Sequence, residues 1–216
     1  MRAIILAAGQ GFQLDGCVKL LIKDPISHKR IIDRLIDIFE KKNITIVVGY
    51  KAIEIIQRYP EINYVFNPDW KTTNNSYSLG LALDENPCYV LSSDLIISNE
   101  IIAKLENSHP NSILTSNREN REMNSLNCNI DDDFRILNIY QGVRKKNNDP
   151  EAIGVYKISD KKVLRKWKKN CLLHGNLFAG QNLPFGIEPI FSVDKEKYRL
   201  DEINTVIDML NIINKK

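Results

Sequence analysis

With 216 residues, 43% of them hydrophobic and 26% charged, the chain is too apolar for a disordered segment. It is long enough for one domain to bury about 70% of its unfolded surface. Thirty Lys and Arg against 27 Asp and Glu leave a net charge of +3, too small an excess to imply a nucleic-acid or membrane partner, though a local patch facing a small anion stays open.

The first half alternates strand and helix patterns. Continuous apolar, largely β-branched runs stand at Ala3–Leu6, Ile44–Val48, Ile62–Phe66 and Cys88–Leu91, and each reads as a strand buried on both faces. Between the first two, Ile31, Ile32, Leu35, Ile36 and Phe39 recur at helical spacing, and residues 51–58 and 76–85 fit shorter helices. That order predicts a mostly parallel sheet with right-handed crossovers. The second half is different. Residues 107–148 hold ten Asn, and Asp131-Asp132-Asp133 between two apolar runs predicts a hairpin with a polar turn. A strand over Ile153–Ile158, a basic amphipathic helix over 160–169 and a last helix over Thr205–Ile213, N-capped by Asn204 or Thr205, complete the expectation. No repeat or linker interrupts the chain. It reads as one α/β domain over 1–216, with a first half (1–106) and an antiparallel elaboration in the second (107–216). Cys17, Cys88, Cys128 and Cys171 form no C-x-x-C pair and read as free thiols. The opening apolar run stops at Gly9, too short for a signal segment, and no stretch approaches the roughly 20 apolar residues of a membrane span, so the expected location is cytoplasmic.

Three stretches carry chemistry. Gly9-Gln10-Gly11 follows the first strand directly, where a glycine turn can bring backbone N–H groups up to a phosphate, and Lys19 follows to neutralise charge. The third glycine of a dinucleotide fingerprint would fall at Leu14, which argues against a dehydrogenase. Asn67 to Leu79 is rich in amides and hydroxyls able to read a base edge, and equally able to serve as a capped loop; Trp70 and Tyr77 within it are either an aromatic wall or core. Asp94 ends the fourth strand after Ser92-Ser93, a position suited to Mg²⁺ or to capping a turn.

Together, Met-x-Ala-Ile-Ile-Leu-Ala-Ala-Gly-x-Gly at residues 1–11 and Lys19 resemble the signature of the Rossmann-like nucleotidyltransferases, the MobA-like NTP transferases, L-A-x-G-x-G-x-R-[LM] followed by K. The order Asn67-Pro68-x-Trp70, Thr73-Asn74-Asn75, Tyr77-Ser78-Leu79 is similar to the cytidylyltransferases of phosphocholine and 2-aminoethylphosphonate. Glu202-Ile203-Asn204-Thr205-x-x-Asp208 resembles the family's closing E-I-D-T-x-x-D. The likeness spans residues 1–106 well and 153–213 loosely.

The resemblance implies a three-layer Rossmann-like nucleotidyltransferase fold with a nucleotide-binding first half and an acceptor-binding second half. It implies transfer of a nucleoside monophosphate, CMP from CTP, to a small phosphorylated or phosphonate acceptor, with Mg²⁺ and release of pyrophosphate. Carried over by position, Lys19 and Asp94 are the catalytic pair. Leu6, Ala7, Ala8, Gly9, Gly11, Gln13, Lys19, Asn74, Asn75, Ser76 and Ser93 bind the nucleotide, and Asp94 with Asn204 holds the metal. Two positions depart from the pattern: Gln13 replaces the arginine that grips the triphosphate, and Asn204 replaces a second acid. Lys23, Lys29 and Arg30 are the nearby cations that would compensate for Gln13. Asp24-Pro25-Ile26-Ser27 stands where the family has G-K-P. Two alternatives stay open. One is guanylyl transfer to a cobinamide or molybdopterin phosphate, whose enzymes also read Asn-Thr at 204–205. The other is a nucleotide-binding module without turnover. No role falls to His28 or His109, while His174, Glu188, Asp194 and Tyr156 are candidates to face the acceptor.

Overall fold

Ile4 and Leu6 point to one side of the first strand and Ala3, Ile5 and Ala7 to the other, and all five are buried. A strand apolar on both faces needs a layer on each, and the helices supply them. The computed structural model describes residues 1–119, 121 and 125–214. Its first half runs β1 (Arg2–Ala7), α1 (Ile31–Phe39), β2 (Ile44–Val48), α2 (Ala52–Arg58), β3 (Asn63–Phe66), α3 (Asn75–Ala82), β4 (Cys88–Ser92), β5 (Leu95–Ile97) and α4 (Asn99–Glu106). The second half runs β6 (Asn111–Ser116), β7 (Leu126–Ile130), β8 (Ile136–Gln141), β9 (Glu151–Ile158), α5 (Lys161–Leu173), β10 (Phe191–Asp194), β11 (Leu200–Glu202) and α6 (Val206–Asn214).

The central sheet has the order β10-β6-β9-β4-β1-β2-β3, parallel except for β9, which runs antiparallel to both β4 and β6. Residues from α1, α4 and α6 pack on one face of it, and α3, α5 and the β7–β8 hairpin cover the other. This is the three-layer, mostly parallel α/β architecture expected from the sequence. From β1 the chain adds β2 and β3 on one side, then returns to place β4 on the other. The carboxyl ends of β1 and β4 therefore border the crevice where such sheets bind ligands.

Most predicted elements lie within a residue or two of their expected bounds. β3 is the exception to burial on both faces: it is the sheet's edge strand, so Asn63 and Phe66 are exposed. The basic helix runs on to Leu173 because Cys171 continues the inward stripe of Val163, Leu164 and Trp167, and the Asp160 carboxylate caps it by accepting from Lys162 and Val163 N–H. Asn204 is not the cap of α6. The Thr205 hydroxyl accepts from Asp208 N–H at 3.2 Å while the Asp208 carboxylate accepts from Thr205 N–H at 2.7 Å, a reciprocal box that frees the Asn204 side chain. The Asp131 turn joins β7 to β8 as predicted. β5, α4, β6, β10 and β11 had no counterpart in the sequence reading. Of the polar stretch 107–150, residues 120 and 122–124 lie outside the described residues. All four cysteines are free. Among the described residues no helix is long and apolar enough to cross a membrane.

Candidate active site

Leu6, Ala7 and Ala8 leave the sheet at the crevice, and Gly9-Gln10-Gly11 turns the chain over it. Gly11 holds a φ of 61°, and a Cβ there would sit 3.0 Å from the Cys17 carbonyl oxygen, so the turn needs glycine at this point. The cleft beneath it, about 220 Å³, is lined by Leu6, Ala7, Ala8, Gly9, Gly11 and Lys19, by Trp70, Asn74 and Asn75, and by Ser92, Ser93 and Asp94. Trp70 lies against Gly49 at the end of β2 and tilts onto Tyr50, with ring centroids 5.3 Å apart. Asn67 is fully buried, donates to Ser78 Oγ at 2.9 Å and closes a turn through Asp69 N–H, so it builds the loop that carries Trp70.

At one end of the cleft four polar side chains form a chain. Lys19 Nζ donates to Asp94 Oδ2 at 2.9 Å and to Asn204 Oδ1 at 2.7 Å, and Asn204 Nδ2 donates to Glu202 Oε1 at 2.9 Å. Residues 19, 94 and 204 are far apart in sequence. They meet because β11 pairs antiparallel with β5, setting Glu202 opposite Leu95, and because Ile203 N–H donates to the Asp94 carbonyl. Burial, with the Asp94 charge behind it, pushes the Glu202 carboxyl up to about 7. Arg118 Nη2 lies 3.7 Å from Glu202 Oε2 and donates at 2.8 Å to Glu151 Oε1.

A hard cation fits this corner. Asp94 Oδ1 is buried with no hydrogen-bond partner among the described residues, while Oδ2 is held by Lys19. No three His, Cys, Asp or Glu side chains converge anywhere among the described residues. Mg²⁺ suits such a donor set, since it takes one or two carboxylates and completes its shell with phosphate and water oxygens.

The structure brings together most of the positions singled out from the sequence. Leu6, Ala7, Ala8, Gly9, Gly11, Lys19, Asn74, Asn75, Ser93 and Asp94 share the cleft lining, and Asn204 touches Lys19. Two positions lie elsewhere. Gln13 is exposed on the short 3₁₀ turn Phe12–Leu14, outside the lining. Ser76 is fully buried and accepts from Asn182 Nδ2 at 2.6 Å, a contact that stitches α3 to the 174–182 loop. Asn75 joins the same seam, its Oδ1 accepting from Ala179 N–H at 2.8 Å. Lys23, Lys29 and Arg30 are not among the residues lining the cleft; Lys29 pairs with Asp37 at 2.7 Å, and Arg30 lies 3.8 Å from Asp33. Tyr156 is core, edge-on to Trp167, and Glu188 pairs with Lys162 at 3.5 Å. Asp194 borders a wider cleft between β10 and the β7–β8 hairpin, away from the glycine turn. Glu202, Arg118 and Glu151 were given no role in the sequence reading. Glu202 was within reach of it, because residues 202 and 204 alternate onto the same side of an extended segment.

No protein-family model and no curated protein sequence matches the chain. Solved structures do. The CTP:phosphocholine cytidylyltransferase LicC from Streptococcus pneumoniae superposes with a TM-score of 0.76 at 21% identity, covering 99% of this chain and 98% of that one. The inositol-1-phosphate CTP transferase from T. maritima gives 0.68 at 17% identity, over 99% of this chain and 95% of that one. HddC from Yersinia pseudotuberculosis, complexed with GMP-PN, gives 0.69 at 16% identity, over 99% and 98%. The chain therefore has, over its whole length, the Rossmann-like fold that these nucleotidyltransferases share.

Proposed function

We propose that this protein is a nucleotidyltransferase that moves CMP from CTP to a small phosphorylated or phosphonate acceptor. The observation that carries the reading is Asp94: a partly exposed carboxylate whose Oδ1 is buried without a partner among the described residues, beside Lys19, under a glycine turn at the crevice of the sheet. The likeness of Asn67–Leu79 to the cytidylyltransferases of phosphocholine and 2-aminoethylphosphonate supports cytidine as the base.

In this reading the Gly9–Gly11 turn cradles the triphosphate with backbone N–H groups, and Trp70, Asn74 and Asn75 border the nucleoside. Asp94, with Asn204 at its side, would hold Mg²⁺, which when bound neutralises phosphate charge. Lys19 Nζ turns from Asp94 and Asn204 to the α-phosphate and stabilises the charge that develops there. An oxygen of the acceptor's own phosphate forms the new bond to the α-phosphorus. The bond from that phosphorus to the bridging oxygen breaks, and pyrophosphate leaves with the electron pair. No protein nucleophile is needed, because positioning and charge neutralisation carry the step.

The test is pyrophosphate release from CTP, and separately from GTP, with Mg²⁺ and a panel of phosphocholine, 2-aminoethylphosphonate and sugar 1-phosphates. Release with CTP and at least one acceptor supports the reading, and release with GTP in its place reassigns the base. One observation favours a second reading, a module that binds nucleotide without turnover: Gln13 stands outside the cleft, and among the described residues Lys19 is the only cation in its lining. Tight CTP binding with no release for any acceptor would establish it.

A further inference from the structure

We propose that a second cleft, on the far side of Glu202 and Asn204, receives the acceptor, and that the acceptor is a hydroxyl-rich phosphomonoester and not a quaternary amine. The proposal rests on the nucleotidyl-transfer reading above. This cleft, about 840 Å³, lies between the ends of β6 and β9, the β11 segment and α6, and its lining includes Arg118, Arg121, Lys195, Glu202, Asn204 and Asp208. Lys19 and Asp94 line the first cleft and Glu202 and Asn204 the second, and the hydrogen bond from Lys19 to Asn204 joins the two linings. A donor in the first and an acceptor in the second would lie on either side of the Lys19–Asn204 contact, so their phosphates would approach each other there.

The charge in the cleft favours an anion. Its acids are engaged within the protein: Asp201 with Arg199 at 2.9 Å, Asp208 in the cap of α6, and Glu202 with the Asn204 amide at 2.9 Å. Among the described residues, two of its cations, Arg121 and Lys195, donate to neutral oxygens and not to an acid. Arg118 reaches across the mouth to Glu151 and Glu202 with its side chain 43% exposed. Arg121 donates through Nη1 to the Asp149 carbonyl at 2.8 Å, yet its Nη2 is buried with no hydrogen-bond partner among the described residues. A buried guanidinium nitrogen without an acceptor is costly, and a phosphate oxygen is the group that best satisfies it. Ser116, Asn204, Asn211 and Asn214 add hydroxyl and amide groups suited to a polyol. No described residue of the lining is aromatic, whereas recognition of a quaternary amine relies on aromatic faces.

The test measures equilibrium binding of glucose 1-phosphate and of phosphocholine to the full chain by calorimetry, with and without CTP and Mg²⁺, for wild type, Arg118→Gln and Arg121→Gln. Glucose 1-phosphate is expected to bind about tenfold or more tighter than phosphocholine, and each substitution to weaken it about ten- to a hundredfold, the worth of a charge-assisted hydrogen bond. Affinity for CTP should move less than about twofold, since neither arginine lines the first cleft. Should loss of an arginine unfold the chain, Lys195→Gln gives the same readout from the third cation. Phosphocholine binding as tightly as glucose 1-phosphate, or sugar-phosphate affinity unchanged in every folded variant, overturns the proposal. CTP binding without glucose 1-phosphate binding also overturns it and leaves the transfer reading standing. Arginine-dependent glucose 1-phosphate binding without CTP binding sinks the transfer reading and keeps the phosphomonoester site.

Discussion

Asp24 has no solvent exposure, yet it is held as an anion. Its carboxylate accepts from Arg199 Nη1 at 2.9 Å and Nη2 at 2.7 Å, from Ser27 Oγ at 2.6 Å and from Ile26 N–H at 3.0 Å, with Arg34 Nη1 3.5 Å away. Burial alone would raise this carboxyl, but the Arg199 fork and the Ser27 and Ile26 hydrogen bonds outweigh it and hold the group well below the usual carboxylate range. The pair ties the segment following Lys19 to the residue just before β11, so it fixes the two sides of the Lys19–Asp94–Asn204 chain against each other. Asp24→Ala strands Arg199 beside Asp201 and removes several hydrogen bonds. Breaking a buried pair costs about 3–5 kcal/mol, and the lower end applies because water reaches part of the Arg199 side chain. For a chain of this length about 3 kcal/mol corresponds to a fall in Tm of about 6–12 °C. The sign with pH follows from the depressed native value. The stabilisation is complete above the unfolded carboxyl pKa near 3.9 and is lost as pH falls through the native value, so wild-type stability should decline below about pH 5. Thermal unfolding followed by circular dichroism from pH 3 to 8 should show the large loss at neutral pH and a shallower acid limb in the variant. A shift under about 2 °C at pH 7, or an unchanged acid limb, would refute this account of Asp24.

Three further outcomes are expected. In Gly49→Ala the new Cβ would lie 2.6 Å from Trp70 Cβ and 2.8 Å from the Ala8 carbonyl oxygen, so Trp70 must move; a cost of about 1–3 kcal/mol is expected in denaturant titration, together with weaker CTP binding, and wild-type affinity would contradict it. Lys19→Gln should lower kcat by about a hundredfold or more with little change in KM for CTP, since its charge acts on the developing transition state; equal losses in both parameters would assign Lys19 to ground-state binding instead. Asn204→Asp removes the donor to Glu202 and sets a third acid beside it, so stability without metal should fall by about 1–3 kcal/mol and be restored by Mg²⁺; a loss that Mg²⁺ leaves untouched would place the metal elsewhere.

Much of the first half was legible in the sequence because buried parallel strands are written as unbroken apolar runs: β1, β2 and β4 need no partner to be recognised. The glycine turn and Asp94 follow from strand ends alone. The strands β6 and β10 were hidden because their buried polar groups satisfy one another across the sheet, as Thr115 and Ser192 do at 2.8 Å, so the apolar signal is diluted. Asn204 as a helix cap was a fair reading of local sequence, overruled by Lys19, which approaches from 185 positions away. The same holds for Ser76, whose partner Asn182 lies 106 positions on. Contacts of that span leave no periodicity to read. Arg118 and Arg121 sit in an Asn-rich, charged stretch whose composition suggests a solvated loop, and the pairing of β6 with β9 brings Arg118 beside Glu151 and Glu202 while Arg121 reaches the Asp149 carbonyl.

The central claim is that the hollow under Gly9–Gly11 seats a nucleoside triphosphate whose cation is anchored by Asp94. Thermal shift and calorimetric titration with CTP, in the presence of Mg²⁺ and again with excess EDTA, compare wild type with Asp94→Asn most directly. The account predicts Mg²⁺-dependent CTP binding in wild type, weakened about tenfold or more both by EDTA and by the substitution. CTP and GTP both failing to bind, or binding indifferent to Mg²⁺ and to the loss of the Asp94 charge, would contradict it.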